Sequence, residues 1–291
     1  MTSTYLQIFE SVFFESFGHD VEIEEFSVVA SGAVNTGAKL VTSEGTFFVK
    51  LNELEIEDFF HSEAADLGLL RPFLRVPAVI GSGKTFGHNY LITEFINLNL
   101  ADPQKSTFEM AGAQLANLHL NTSPQFGLDH NNFLSSLPQD NQWKTDGINF
   151  LIQNRILPMV GRCLMEEKIS IDLYKRIENL YGRLGKIIPD DAPALLHGDL
   201  WSGNLISDKT GFPIYIDPSC YFGLRESELA FTYLFGGFEN SFYEAYLDVF
   251  PLEPGFGERV SVYHIHPLLV HVLLFGSGYI AGIERILKRF S

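Results

Sequence analysis

The order of β-like and helical segments is the feature that most restricts how this 291-residue chain can fold. Short runs rich in apolar residues and bounded by turn residues recur through the first 96 positions. Beyond them, most segments show the 3.6-residue apolar period of helices. A β-rich part followed by a helical part predicts an α+β protein with two lobes of different class, a β-rich lobe over 1–96 and a mainly helical lobe over 97–291.

The same patterns predict the individual elements. Strands are expected at 25–30, 37–42, 46–51, 76–80 and 89–95, with brief β-like pieces at 194–196, 204–206 and 213–216. Because 81–84 is rich in turn residues, we expect it to separate the last two long strands. Helices are expected at 1–17, 56–70, 107–120, 147–167, 169–187 and through most of the chain after 226. The apolar stretch 267–283 is shorter than the roughly 20 residues of a membrane span and predicts a buried helix.

The charge of the chain excludes two classes of partner. Its 36 acidic and 20 basic side chains give a formal net charge of −16, and no run of basic residues occurs. Because nucleic acids and anionic membranes are bound through Lys and Arg, neither is an expected partner. The two cysteines, Cys163 and Cys220, do not make a disulfide framework, and the N-terminus does not resemble a secretory signal. We therefore expect a cytoplasmic protein. Monomer and homodimer both remain open.

The stretch 197–204, His-Gly-Asp-Leu-Trp-Ser-Gly-Asn, carries the most specific chemical pattern. Asn204 follows Asp199 by five positions, and Asp217 comes 13 positions later, after a β-like run. In kinases, such an Asp orients and deprotonates the attacking hydroxyl, and the Asn and the second Asp hold Mg²⁺ against the phosphates of ATP. A lone Asp is more often a turn or cap residue. Three residues at these spacings, with His197 two positions before the first Asp, favour the kinase interpretation.

The remainder of a kinase site is expected upstream. Lys50 ends the predicted third strand, where a kinase places the Lys that contacts the phosphates. Glu63, on the helix that follows, is its predicted partner. Three residues from the start of that segment remain as weaker alternatives: Glu53, Glu55 and Glu57.

Two backbone segments are candidates for binding the nucleotide. The loop 31–35 lies between the first two strands, and Gly32 and Asn35 are its candidate phosphate-binding residues, although it lacks the Gly-x-Gly-x-x-Gly pattern. The segment 93–96 ends the last strand, where the backbone of a kinase hinge contacts adenine. Glu94 and Ile96 are the candidates there.

Several details favour a small-molecule kinase over a regulated protein kinase. The loop contains His-Gly-Asp in place of His-Arg-Asp, and Pro218 follows Asp217 where protein kinases have Phe-Gly. No Ala-Pro-Glu follows, and the predicted helix from 226 leaves little room for an activation segment. Glu226 and Glu228, at the start of that helix, are expected to have structural roles, because acidic residues stabilise helix N-termini.

The sequence resembles the fructosamine kinase (ketosamine-3-kinase) family, which is related to the aminoglycoside phosphotransferases. The resemblance covers nearly the whole chain. It rests on the following segments: 47–52, 115–119, 126–127, 131–133, 141–143, 197–204, 216–218 and 234–238. The string Asp-Leu-Trp-Ser-Gly-Asn within 197–204 is its most specific part.

The resemblance implies a protein-kinase-like fold and ATP-dependent phosphorylation of the sugar 3-hydroxyl of ketoamines, either small molecules or glycated proteins, which leads to deglycation. It implies that Asp199 is the base and that Asn204 and Asp217 bind Mg²⁺. Lys50 and Glu63 would position the phosphates. Trp201 would form a wall of the sugar pocket, with His197 as a further candidate for contact with the substrate.

The chain departs from the family pattern at three places, one of which is Ser219-Cys220 after Asp217-Pro218. The loop 31–35 has a single glycine and no cysteine, so a thiol switch is not expected there. No second Trp follows Trp143 within the next four residues. These differences concern the acceptor, and two other interpretations remain open: a phosphotransferase of the aminoglycoside or choline kinase type, and a non-catalytic nucleotide-binding protein.

Overall fold

The computed structural model describes residues 2–31, 34–56, 59–99 and 103–290. Its N-terminal part contains a five-stranded sheet in which every neighbouring pair is antiparallel, in the order β1-β2-β3-β5-β4. The strands are β1 (Ile23–Ser31), β2 (Thr36–Thr42), β3 (Gly45–Asn52), β4 (Val79–Thr85) and β5 (His88–Glu94). The first three lie where the sequence predicts them.

The prediction of a turn at 81–84 is wrong, because these residues belong to β4 and the turn lies at Phe86 and Gly87. The glycines of this segment allow close packing instead. A Cβ on Gly81 would lie 2.6 Å from Oγ of Ser16, and one on Gly83 would lie 2.9 Å from the Tyr90 hydroxyl. Glycine inside a strand often marks such a close approach, which composition alone does not distinguish from a turn.

Two helices pack against this sheet. The first, α1 (Thr2–Phe17), ends at Gly18 with φ +76°, as predicted, and buries its apolar face on the sheet together with Val49 and Leu51 of β3. Alternation along the strand directs Lys50 to the opposite face, where it meets the second helix, α2 (Phe59–Leu70).

The remaining residues are mainly helical. The helices are α3 (Lys105–His119), α4 (Gly147–Phe150), α5 (Leu157–Met165), α6 (Ile171–Ile187), α7 (Arg225–Leu234), α8 (Asn240–Val249), α9 (Phe256–Tyr263), α10 (Ile265–Phe275) and α11 (Ile280–Phe290). Three antiparallel strand pairs complete this part: β6 (Asn132–Leu134) with β7 (Leu137–Gln139), β9 (Leu205–Ser207) with β10 (Pro213–Tyr215), and β8 (Ala194–Leu196) with β11 (Tyr221–Gly223). The fold is α+β, as predicted.

Two predicted helices are interrupted. The segment 147–167 contains a π-helical stretch, Leu151–Ile156, between α4 and α5. Its Arg155 is buried, with the guanidinium 3.9 Å from the Tyr221 ring centroid and 4.6 Å from that of Phe150. The stretch 267–283 breaks at Gly276, where φ is +93°. None of the helices in the described part of the chain has the length and apolar character needed to cross a membrane.

Candidate active site

The loop 197–204 connects β8 to β9 and is shaped by a glycine. Gly198 has φ +85°, a conformation that side chains other than glycine rarely adopt, and a Cβ there would lie 1.8 Å from the Ser219 carbonyl oxygen. The Ser219 N–H donates to the His197 carbonyl at 2.8 Å. The loop therefore packs directly against the segment that follows Asp217.

We expect Gly198→Ala to lower the free energy of unfolding by about 3 kcal/mol, because the added methyl group forces two backbone segments apart. Urea denaturation measures the change. Gly182→Ala is the control: Gly182 lies in α6 with no atom near its Cβ position, so this variant should be as stable as the wild type or slightly more stable. Equal stability of the Gly198→Ala variant and the wild type would contradict the role of this contact.

Glu228 holds the loop 197–204 through hydrogen bonds to its backbone. Its buried carboxylate accepts hydrogen bonds from the backbone N–H groups of His197 at 3.0 Å and Gly198 at 2.6 Å, and the His119 Nε2 lies 2.9 Å away. Burial alone would raise the pKa of Glu228, but these hydrogen bonds and the nearby imidazoles lower it. The sequence predicts only a helix N-terminal role for Glu228, whereas the structure shows that it anchors the candidate catalytic loop.

Asp199 and Asn204 are joined within the loop. The Asn204 Nδ2 donates to the Asp199 carboxylate at 3.0 Å and to its carbonyl oxygen at 2.8 Å. Burial and the nearby charge of Asp217 raise the pKa of Asp199 well above its ordinary value. A carboxylate held in one orientation with a raised pKa is suited to accept a proton from a hydroxyl.

Lys50 joins two carboxylates across the cleft. Its Nζ lies 2.6 Å from Oε1 of Glu63 and 2.6 Å from Oδ1 of Asp217. Burial disfavours the ammonium, but the two carboxylates outweigh this effect and raise the pKa of Lys50. The lysine is therefore a fixed positive charge at the wall of the cleft.

A cavity of about 520 Å³ lies at this junction. Lys50, Glu63, Asp199, Asn204 and Asp217 all line it. The structure therefore brings together the five residues that the sequence pattern predicts for the catalytic centre.

The predicted nucleotide-binding residues differ in whether they line this cavity. Asn35 lines the cavity, and its Oδ1 accepts a hydrogen bond from the Asn52 side chain at 2.9 Å, whereas Gly32 lies outside the described residues. The described lining includes neither Glu94 nor Ile96. The Glu94 carboxylate pairs with Arg75 and accepts the Ala78 N–H at 2.7 Å.

The two candidate substrate contacts, Trp201 and His197, also differ in whether they line the cavity. Trp201 lines the cavity, and its indole covers Gly203 so closely that a Cβ there would lie 2.3 Å from a ring carbon. His197, the first residue of the loop, is fully buried, and its Nε2 lies 3.0 Å from the Ile216 carbonyl oxygen. Burial lowers the pKa of His197. The geometry makes His197 a support for the loop.

A second cavity, of about 390 Å³, adjoins the first. The two share Ser135, Asp199, Trp201 and Phe275. Aromatic side chains form half of the remaining wall of the second cavity, namely Phe231, Phe235, His271 and Tyr279, and aliphatic side chains form the other half. Asp199 thus stands between a charged cavity that can take phosphates and an aromatic cavity that can take an acceptor.

Asn204 and Asp217 fit Mg²⁺ by the chemistry of their oxygens. Mg²⁺ prefers hard oxygen ligands and usually retains water and substrate phosphates in its coordination shell, so it needs only one or two protein groups. The hydrogen bonds of Asn204 to Asp199 run through Nδ2, which leaves its Oδ1 free of that contact. Among the described residues, no group of three His, Cys, Asp or Glu side chains forms a complete protein cage for a metal.

A Lys–Glu pair on the sheet and the adjoining helix, facing an Asp–Asn loop and a second Asp, defines a protein-kinase-like phosphotransferase site. The family model for fructosamine kinase matches residues 6–291. The chain belongs to the fructosamine kinase family, and the resemblance predicted from its motifs is confirmed.

Individual relatives agree with this assignment. A "Probable ketoamine kinase" from Lactiplantibacillus plantarum is 34% identical over 275 residues, which are 92% of this chain and 95% of that protein. The crystal structure of a "Putative fructosamine-3-kinase" from Haemophilus somnus 129PT superimposes with a TM-score of 0.86 at 30% identity, covering 97% of this chain and 96% of that one. The aminoglycoside phosphotransferase APH(4)-Ia matches with a TM-score of 0.65 at 13% identity over 97% and 98% of the two chains, which shows a shared fold alone.

Proposed function

We propose that this protein is an ATP-dependent kinase that phosphorylates the 3-hydroxyl of the sugar in ketoamines, either small molecules or glycated proteins, as a step towards deglycation. The observation that carries the proposal is the position of Asp199. It lies on the wall shared by the cavity that contains Lys50, Asn204 and Asp217 and by the aromatic cavity. Membership of the fructosamine kinase family supports the same substrate class.

Each of the candidate catalytic residues has its own role in phosphoryl transfer. Asp199 accepts the proton of the acceptor hydroxyl and orients its oxygen, while Glu63 holds Lys50 against the phosphates. Asn204 and Asp217 would hold Mg²⁺, which when bound neutralises negative charge on the phosphate oxygens. Because phosphoryl transfer needs little covalent assistance, positioning and charge neutralisation carry most of the catalysis.

The nucleotide is proposed to enter between the sheet and the helical part. Asn35 supports this placement because it lines the cavity near Lys50. We assign Gly32 and the backbone at Glu94 and Ile96 to the phosphate and adenine ends of the same site. The boundary between the two lobes is proposed at residue 96, and cytoplasmic location remains a prediction.

The second cavity suits a ketoamine. Its aromatic walls can pack against the C–H faces of a sugar, and a secondary ammonium is attracted to aromatic faces. Trp201 is 39% exposed and stands beside Asp199 in both cavities. We therefore assign Trp201 to the sugar wall.

Mg²⁺-dependent ADP release with a panel of acceptors tests the function. The panel contains fructosyl-, ribulosyl- and erythrulosyl-lysine, one aminoglycoside and choline, and nuclear magnetic resonance locates the phosphate on the product. We expect release with ketoamines and a phosphate on the 3-hydroxyl. Release with the aminoglycoside or choline alone would replace the proposal by the other acceptor class. ATP binding without turnover on any acceptor would support a non-catalytic protein.

We expect Trp201→Leu to raise the KM for the preferred ketoamine about fivefold with the KM for ATP nearly unchanged, because an aromatic contact contributes about 1 kcal/mol. Steady-state kinetics with each substrate varied in turn measures the two constants. Phe14→Leu is the matched control, since Phe14 is a half-exposed aromatic residue on α1. A rise in the KM for ATP alone would contradict the assignment.

A further inference from the structure

Helix α2 docks on the β6–β7 hairpin of the helical part at two points. Near its start, the Phe59 ring lies 4.8 Å from the Phe133 ring, measured between centroids. One helical turn before its end, Asp66 is fully buried with a relative exposure of 0%. The helix that supplies Glu63 to Lys50 is therefore fixed to the other part of the protein by an aromatic contact and a buried carboxylate.

Three groups surround the Asp66 carboxylate. Its Oδ2 accepts hydrogen bonds from the Asn132 side chain at 2.8 Å and from the Cys220 backbone N–H at 2.9 Å. Its Oδ1 lies 3.0 Å from Nε2 of His130. A buried carboxylate is stable only when it has such partners, so this arrangement strongly restricts the position of α2.

The partners of Asp66 are themselves fixed. The Asn132 amide makes four hydrogen bonds: its Nδ2 donates to Asp66 and to the Cys220 carbonyl, and its Oδ1 accepts from Gln139 at 3.1 Å and Asn141 at 3.0 Å. An amide group can make no more than about four such bonds. Asn132 therefore has little freedom to follow a displaced helix.

The contacts of Asp66 connect α2 to the segment that carries Asp217. Asp66 and Glu63 are three positions apart in α2, a spacing that places both on the same side of the helix. Cys220 follows Asp217 by three residues, so Asp66 holds α2 against the segment that carries Asp217. A shift of α2 would change the 2.6 Å contact between Glu63 and Lys50.

We propose that Asp66 is a positioning residue for phosphoryl transfer: it fixes α2 so that Glu63 holds Lys50 beside Asp217. The proposal rests on the proposed kinase function for its catalytic readout. Asp66 also lines the first cavity, but its carboxylate oxygens are occupied by the three contacts described above, so we assign its effect to Glu63.

The primary test is Asp66→Asn. The amide retains the size of the carboxylate but carries no charge and offers one acceptor oxygen in place of two. The hydrogen bonds from Asn132 and Cys220 therefore lose their charge assistance, and His130 Nε2 must change from donor to acceptor. Loss of a group that orients a metal ligand typically costs 10- to 100-fold, and Asp66 orients the Glu63–Lys50 pair in the same indirect way. We expect kcat with a ketoamine, and the affinity for AMP-PNP with Mg²⁺ in calorimetry, to fall about tenfold or more.

A double-mutant cycle separates positioning from general stability. If Asp66 acts through Glu63, adding Asp66→Asn to Glu63→Gln should lower affinity no more than about twofold beyond the single Glu63→Gln variant. The matched control is Glu226→Gln, because Glu226 is also a buried carboxylate with three hydrogen bonds, to Arg259 and Tyr263, away from the cleft. This control should lower the thermal midpoint and leave the affinity for AMP-PNP nearly unchanged.

Additive losses, or an Asp66→Asn variant with unchanged AMP-PNP affinity and kcat, would overturn the proposal. If the Asp66→Asn variant does not fold, AMP-PNP binding by the His130→Ala variant tests the proposal instead. The His130 side chain is 35% exposed and supplies one of the three contacts, so its removal should weaken AMP-PNP binding about threefold, and unchanged binding would count against Asp66. Nucleotide binding needs no acceptor, so the absence of ADP release by the wild type with every acceptor would contradict the proposed function alone.

Discussion

The Asp199→Asn variant should lose about a thousandfold in kcat with a ketoamine while it binds AMP-PNP and Mg²⁺ within about threefold of the wild type. An Asn side chain has the shape of Asp but cannot accept the proton of the attacking hydroxyl, and such proton transfer contributes about 10²- to 10⁴-fold. The hydrogen-bonding geometry of Asn204 should change little, because the amide oxygen can still accept from its Nδ2. The loss therefore falls on chemistry and not on binding.

The same substitution should not destabilise the fold. Burial and the neighbouring Asp217 raise the pKa of Asp199, which means that the folded state disfavours its charge. The stability associated with a raised carboxyl pKa is present when the group is protonated and is lost as the pH rises through the folded-state pKa. At neutral pH a neutral Asn removes that cost, so the thermal midpoint should equal or exceed that of the wild type.

Initial rates of ADP release, calorimetry and thermal unfolding on one preparation test both expectations. Asp248→Asn is the control, because Asp248 is an exposed carboxylate on α8, and it should leave all three measurements nearly unchanged. A kcat for Asp199→Asn within tenfold of the wild type would mean that another group accepts the proton.

The proximity of the candidate catalytic residues could be predicted from the sequence because they lie in short, patterned segments. Asp199 and Asn204 share one loop, and Asp217 follows the adjacent hairpin. The choice of Glu63 depended on placing it within a helix. The alternative Glu53 is mostly exposed and lies 3.1 Å from His88, away from Lys50; Glu57 is outside the described residues.

The supporting residues could not be predicted in the same way. Glu228 binds backbone N–H groups of residues about 30 positions earlier, and Asp66 binds a backbone N–H 154 positions later. Because nearly every residue has a backbone N–H donor, no sequence pattern identifies the donor that a given carboxylate binds. Only the tertiary fold shows which carboxylate reaches which donor.

Side-chain identity was also a poor guide at the predicted hinge segment, 93–96. Glu94 is a charged residue at the end of β5, but its carboxylate is held by Arg75, and this ion pair lowers the pKa of Glu94. An adenine contact in such a segment would use the backbone, for which sequence gives little information. The fold class was easier to predict, since it follows from the period of the apolar residues in long segments.

Asp217→Asn should lower kcat about 10²- to 10³-fold and raise the Mg²⁺ concentration needed for half-maximal activity. Asp217 has φ +55°, a conformation that Asn tolerates better than most residues, so the backbone should be retained. The substitution replaces a charged oxygen ligand by a neutral one, and charge neutralisation by a metal contributes several kcal/mol to such reactions. It also removes one of the two charges that face Lys50.

Titration of activity with Mg²⁺ separates these two effects when Glu63→Gln is measured beside Asp217→Asn. Both variants remove one carboxylate from Lys50, but only Asp217→Asn changes a candidate metal ligand. Glu63→Gln should therefore lower kcat with nearly unchanged Mg²⁺ dependence, and Asp217→Asn should change both. The same Mg²⁺ dependence in the two variants would mean that Asp217 acts through Lys50 alone, and the oxygen ligands would then have to be sought elsewhere in the cleft.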